Sequence, residues 1–270
     1  MFTYICGLVA AVLVSSCTET SIQPETPDTS GTEETPVEPT PEPEPEPEPG
    51  PEPEKEIKPM LDLVFNADGT ATDVSENNYR INTYDGYSLL TWEYGGFDGK
   101  MARFCHTVGA GISDSYYKFN YYSEKKFRDR MSDGYSLEAV VMLDAVPDGT
   151  AELKAFCSTE QGGTGIMVAN SSQGKELTFL TNVSTSGNSN WVWGKTGIVP
   201  ERGRYYHIIG VWDKENNEAR VYVDGELKKT VKTTGSFNFP KSQACYWFCV
   251  GGDPAPSAVQ SAWRGDVAMA

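Results

Sequence analysis

Histidine is nearly missing from this chain: its 270 residues hold two, His106 and His207. Metal-assisted hydrolysis needs clustered His and Asp ligands, and no H-E-x-x-H occurs, so both histidines read as core or structural. The nucleophile elbow G-x-S-x-G is absent, which speaks against a serine esterase. The glycines and lysine between Gly187 and Lys195 lack phosphate-loop spacing, and Gly109-Ala110-Gly111-Ile112-Ser113-Asp114 breaks a dinucleotide fingerprint at its last position. No basic run suggests nucleic acid. Beyond the first residues there is no apolar stretch near the roughly 20 residues that a membrane helix needs. Helical periodicity is also scarce; the best candidate is one short segment, Ser123 to Met131.

What is present begins with a leader. Phe2 to Val14 is almost wholly apolar, too short to span a bilayer and of signal-peptide length. No Lys or Arg precedes it. It ends at Val14-Ser15-Ser16-Cys17, which resembles the lipobox of bacterial lipoproteins. That resemblance implies a signal peptide over 1–16, lipidation of Cys17 and a lipid-anchored place at the outer membrane or cell surface. Residues 17–59 follow as an acidic, proline-rich stalk containing TPEPEPEPEPGPEPEKEIKP. With so little apolar surface it cannot offset chain entropy. Alternating Pro and Glu favours an extended path with a reach on the order of 100 Å. From Thr18 to Pro59 there are thirteen acidic residues and two lysines, a balance of −11 within a chain total of −16. The remaining −5 makes the folded part only mildly acidic.

Residues 60–270 are long enough for one sizeable core. They read as short β runs broken by Gly, Asn, Asp and Pro: Leu61–Phe65, Ser88–Tyr94, Met101–Val108, Tyr116–Tyr122, Ser136–Leu143, Glu152–Ser158, Gly165–Val168, Glu176–Asn182, Tyr205–Trp212, Glu218–Val223, Lys228–Thr233, Cys245–Gly251 and Arg264–Met269. The pattern predicts an all-β, two-sheet antiparallel sandwich. Tyr205–Trp212 and Glu218–Val223 flank a polar loop, and Asp224-Gly225 suits a tight type I′ turn. Val221 and Val223 share one face, while Arg220 and Tyr222 share the other. Tyr246, Trp247 and Phe248 make both faces of their strand apolar, which places it centrally.

The segment YHIIGVWD … ARVYVDGEL, with Phe248-Cys249-Val250-Gly251-Gly252 and Trp263-Arg264-Gly265-Asp266-Val267, resembles the concanavalin A-like (laminin-G-like) jelly rolls. The likeness is good over 136–270 and loose over 61–133. It implies a jelly-roll sandwich and leaves function open, because the fold hosts many activities. The family's closing strand usually continues further than Ala270, which suggests a fragment or an N-terminal module. Jelly rolls of this kind are sometimes followed by a metallophosphoesterase, and the catalytic versions carry E-x-D-x-E or E-x-D-x-x-E. Neither spacing occurs. The expected function is therefore a surface-anchored, non-catalytic module for a carbohydrate or protein ligand. The alternative is the accessory domain of a larger surface hydrolase, metallophosphoesterase or glycosidase, with its catalytic part downstream.

Candidate ligand residues are Trp191, Trp193, Asn188 and Asn190, in a loop rich in amides and hydroxyls. The opposite reading has one or both tryptophans filling the core. Tyr116, Tyr117, Tyr121 and Tyr122 form a second aromatic cluster. The resemblance implies Ca2+ as the one cofactor to consider, with Asp68, Asp98, Asp253 and Asp266 as available carboxylates. Arg264-Gly265-Asp266 spells an integrin-type tripeptide but falls in the closing strand, where it reads as structural. Past Cys17 there are four cysteines. Cys245 and Cys249 share one strand and cannot bridge each other. Either could pair with Cys105 or Cys157, or all four could be buried thiols.

Overall fold

The computed structural model describes residues 58–85, 90–93, 100–104, 115–121, 123–144, 152–158, 163–172, 174–185, 190–239, 247–254, 259–260 and 262–268. A small hairpin opens it, β1 (Leu63–Phe65) with β2 (Ala71–Asp73). Then follow β3 (Ile81–Asp85), β4 (Leu90–Glu93), β5 (Lys100–Phe104), β6 (Ser115–Asn120), helix α1 (Lys125–Ser132), β7 (Tyr135–Leu143), β8 (Leu153–Ser158) and β9 (Thr164–Ser171). The remaining strands are β10 (Gly174–Ser184), β11 (Trp191–Lys195), β12 (Tyr205–Asp213), β13 (Glu218–Val223), β14 (Glu226–Lys232), β15 (Ser236–Phe237), β16 (Trp247–Val250), β17 (Asp253–Pro254), β18 (Val259–Gln260) and β19 (Gly265–Ala268).

Two sheets form the sandwich. One runs β11-β10-β9-β8-β16-β6-β3, with β15 also on β10; the other runs β14-β13-β12-β7-β19-β5-β4. Neighbours distant in sequence, such as β8–β16, β6–β16 and β7–β19, are antiparallel pairs made by crossovers between the sheets. The expected all-β jelly roll is what the chain forms. The strand with aromatic residues on both faces is indeed central, between β8 and β6.

Alternation builds the core. Along β12, Tyr206, Ile208, Gly210 and Trp212 point inward; along β13, Ala219, Val221 and Val223 do. They meet Leu177 and Phe179 of β10 and Ile166 and Val168 of β9 in one cluster. Gly210 is required by this packing: a Cβ there would stand 2.1 Å from Phe179 Cδ2. The type I′ turn forms as expected, with φ of 53° at Asp224 and 81° at Gly225.

The helix is one turn pair, Lys125 to Ser132, and it survives through two buried side chains four residues apart, Phe127 and Met131. An isolated helix of that length is unstable in water. Phe127 lies against the rings of Tyr79, Phe119, Tyr121 and Phe248. The start of the segment does not cap it: Glu124 is the cap residue and makes no side-chain cap bond. Of the tyrosine cluster, Tyr117 and Tyr121 are core residues, Tyr116 is half-buried, and Tyr122 lies outside the described residues.

Candidate ligand-binding site

Residues 191–195 are not loop but edge strand, paired with β10 from Asn182↔Trp191 to Thr178↔Lys195. The reason is local. Trp-Val-Trp is a strong strand former, and Val192 and Gly194 turn inward, where a Cβ on Gly194 would come within 2.5 Å of Val221 Cγ2. Period-two geometry then sends Trp191, Trp193 and Lys195 to the opposite, outer face. Neither tryptophan fills the main core. Both are half-buried and lean on a satellite patch of Met167, Ala169 and Leu180.

Beside Trp193 lies an open cleft of about 310 Å3, lined by Glu152, Ala169, Asn170, Trp193 and Lys195. The Lys195 ammonium lies 5.8 Å from the Trp193 ring centre and donates to the Asn170 carbonyl at 2.5 Å. A cation so placed is attracted to the ring face. Nearby, burial lowers the Lys175 pKa and the Glu152 carboxylate opposes that shift. The cleft thus offers one aromatic face, one carboxylate, one carboxamide and one ammonium. Such a set suits a polyhydroxylated ligand, with a ring to stack on C–H surface and both donors and acceptors for hydroxyls.

Of the four expected ligand residues, Trp193 lines this cleft and Trp191 stands two residues along the same face. Asn190 is exposed, but its main chain is engaged: its N–H donates to Asn182 Oδ1 at 3.0 Å and its carbonyl accepts from Val183 N–H at 3.1 Å. Asn188 lies outside the described residues. Glu152, Asn170 and Lys195 were not expected. Glu152 and Asn170 come from the ends of other strands, and only the sheet register brings them to Trp193. Lys195 was within reach of strand alternation once 191–195 was read as a strand.

The described aspartates considered for Ca2+, Asp68, Asp253 and Asp266, do not form a common ligand group. Among the described residues, no three His, Cys, Asp or Glu side chains gather as metal ligands would. Asp253 and Asp266 are each fully buried and already neutralised. Asp253 pairs with Lys154 at 2.5 Å. Asp266 accepts from Arg103 Nε at 2.5 Å, from Arg103 Nη2 at 2.8 Å and from the Tyr205 hydroxyl at 2.5 Å. A buried carboxylate demands such partners; they engage both oxygens of Asp266 and Oδ2 of Asp253. Asp68 is exposed and closes the β1–β2 turn by accepting from the Thr70 hydroxyl and N–H, contacts that lower its pKa. Asp98 lies outside the described residues, and so do Cys17 and His106.

The Arg-Gly-Asp tripeptide is structural, as its position in the closing strand suggested. β19 sits between β7 and β5, and a Cβ on Gly265 would lie 2.0 Å from the Met142 carbonyl. His207 is not in the core. It faces outward from β12 with Nε2 2.7 Å from Glu138 Oε1, a surface pairing. A structural residue with no obvious signal in the sequence is Asp73. Its buried carboxylate gathers the N–H groups of Asp62, Ser75 and Tyr79 and the Ser75 hydroxyl.

A family model described as the concanavalin A-like lectin/glucanases superfamily matches residues 113–269. No curated protein matches the sequence. Among solved structures, domain 4 of AbnA, a GH43 extracellular arabinanase from Geobacillus stearothermophilus, in complex with arabinotriose, is similar with a TM-score of 0.51 at 16% identity. The match covers 80% of this chain and 91% of that one. Botulinum neurotoxin type C, in a structure concerned with its cell entry through two ganglioside molecules, is similar with a TM-score of 0.52 at 10% identity. There the match covers 78% of this chain but 46% of the other. The binding domain of botulinum neurotoxin DC, in complex with rat synaptotagmin II, gives a TM-score of 0.51 at 10% identity, covering 78% of this chain and 46% of that one. At these identities the likeness is one of fold.

Proposed function

The chain belongs to the concanavalin A-like lectin/glucanase superfamily, and on that premise we propose that it is a surface-anchored binding module that takes carbohydrate beside Trp193 and performs no chemistry of its own. The observation that carries this reading is the half-buried Trp193 ring flanking a cleft with Glu152, Asn170 and Lys195. A fold shared with an arabinanase domain holding arabinotriose supports it. Anchoring would come from lipid on Cys17, with residues 17–59 as the spacer.

Retention of the full chain on immobilised polysaccharides tests the ligand. Trp193→Ala should weaken binding by about tenfold, roughly 1.4 kcal/mol, while circular dichroism shows the sheet fold retained. No retention on any polysaccharide, or retention indifferent to Trp193→Ala, refutes the site. Anchoring has its own test: Cys17→Ala should move the protein from the membrane fraction to the soluble one.

A second reading is favoured by one finding, that the arabinanase relative is itself a domain of an enzyme. Under it the module delivers a hydrolase to its polymer. The gene sequence following the codon for Ala270 decides it: a continuing frame with metal-ligand or paired-carboxylate motifs supports the accessory role.

A further inference from the structure

The register of the eight-stranded sheet sets two cysteines face to face. Cys249 of β16 is the direct partner of Cys157 of β8. Directly opposed residues send their side chains to the same face of a sheet. Neither is in a disulfide here, both are buried, at 1% and 0% exposure, and the Cys157 thiol donates to the Gly252 carbonyl at 3.2 Å.

Two residues along, Gly251 N–H donates to the Ala155 carbonyl, so 251 and 155 form a hydrogen-bonded pair. By alternation 249 and 157 form one too, with Cα atoms about 5.5 Å apart. That is inside the window of about 4.4–6.8 Å for a disulfide. The Cβ atoms of such a pair start at the wide end of the cross-strand range, so closure draws them together by about 1–2 Å. On the other flank of Cys157 stands Gly165, where a Cβ would come within 2.6 Å of the Cys157 Cβ, so this close strand approach requires glycine. A bulge between Lys154 and Phe156 immediately precedes Cys157 and relaxes the ladder there.

We propose that Cys157 and Cys249 are joined by a cross-strand disulfide when the chain folds in an oxidising compartment. This rests on the export part of the function proposed above and not on the ligand. The oxidant is a disulfide-carrying thiol oxidase or a small-molecule disulfide. One cysteine thiolate attacks a sulfur of that disulfide, whose S–S bond breaks to leave a mixed disulfide and one thiolate. The second cysteine thiolate then attacks the mixed disulfide, the Cys157–Cys249 bond forms, and the second thiolate departs. Two electrons end on the oxidant, and the two protons lost by the cysteines balance its two thiols.

Timing follows from burial. In the closed sheet, burial pushes the Cys249 thiol pKa well up, against the opposing Lys118 charge. A buried thiol is a poor nucleophile, so the bond forms before the sheet closes and is then shielded from reductants.

The test has two arms on the full chain. In the first, protein exported from a bacterial cell is alkylated at lysis and digested without reductant. The expected product is one linked peptide pair carrying Cys157 and Cys249, two mass units below the sum of its parts, with neither cysteine alkylated. In the second, reduced and denatured protein is refolded in a glutathione buffer. The same pair should form, and it should resist thiol reductant until the fold is opened. The bond closes a loop of roughly 90 residues, and Cys157→Ala/Cys249→Ala should melt roughly 10 °C lower. If refolding gives free thiols or another pairing, the proposal fails on geometry. If refolding forms the bond but cell-derived protein is alkylated at both positions, it fails on compartment, and the export reading fails with it.

Discussion

Val192 and Trp193 are neighbours in the chain, and the sheet sends one to the core and the other to the outer face. The same division governs charged residues. Lys154 and Asp253 are buried together, 5% and 0% exposed. Burial opposes the Lys154 charge, but with Cys157 reduced its interactions with Cys157 and Asp253 more than offset that, and its pKa rises. Removing one partner leaves a lone buried charge, so Lys154→Met should cost about 3–5 kcal/mol in denaturant unfolding. The double change Lys154→Met/Asp253→Leu should recover most of that loss. A single variant as stable as the parent would show that the pair is not buried in solution. The aspartates were legible as carboxylates near strands but not as ion-pair partners, because Arg103 lies 163 positions from Asp266 and Lys154 lies 99 from Asp253.

At the scale of elements, α1 and the β13–β14 turn make opposite cases. The helix is too short to persist alone, and Phe127 holds it by filling an aromatic nest. Phe127→Ala should destabilise the protein by about 3–5 kcal/mol, measured by urea unfolding. An effect near zero would mean that the helix is not packed on the sheet. The turn, by contrast, is a local matter of backbone angle. Gly225 sits at φ 81° with open space around its missing side chain. Gly225→Val should therefore cost about 1–3 kcal/mol through strain alone, without loss of core packing in tryptophan fluorescence. Turn chemistry was readable in advance because it is nearest-neighbour physics. Strand β11 was missed because Ser, Gly and Asn before it extend the look of a loop, and only the pairing of Trp193 with Leu180 makes it an edge.

For the whole molecule, protonation and architecture set the working range. Tyr135 and reduced Cys249 are pushed up by burial, and Lys154 is raised despite burial. A group whose folded pKa is raised keeps its proton longer when folded, so its contribution is complete below the unfolded pKa and is lost as pH rises. Stability should thus fall on the alkaline side, starting near the ordinary values of 9.0 for Cys249, 10.0 for Tyr135 and 10.5 for Lys154. On the acid side the carboxylates with lowered pKa are Asp68, Glu76 and Glu226, which face solvent and matter little, and Asp213, which is 17% exposed and paired with Arg220. A thermal melting series should be nearly flat from about pH 6 to 9 and drop above it. A melting temperature that holds steady well above about pH 10 would contradict this assignment.

Alternation, turn residues and composition were enough to determine a two-sheet antiparallel sandwich, the central place of Trp247–Val250 and the structural role of Arg264-Gly265-Asp266. Each follows from rules acting over a few residues, or over the average of many. The tertiary structure alone decided which side chains meet: Glu152 and Asn170 with Trp193, Lys154 with Asp253, and Cys157 with Cys249. Those meetings depend on strand register and crossovers, and a one-residue slip would send every one of those side chains to the other face.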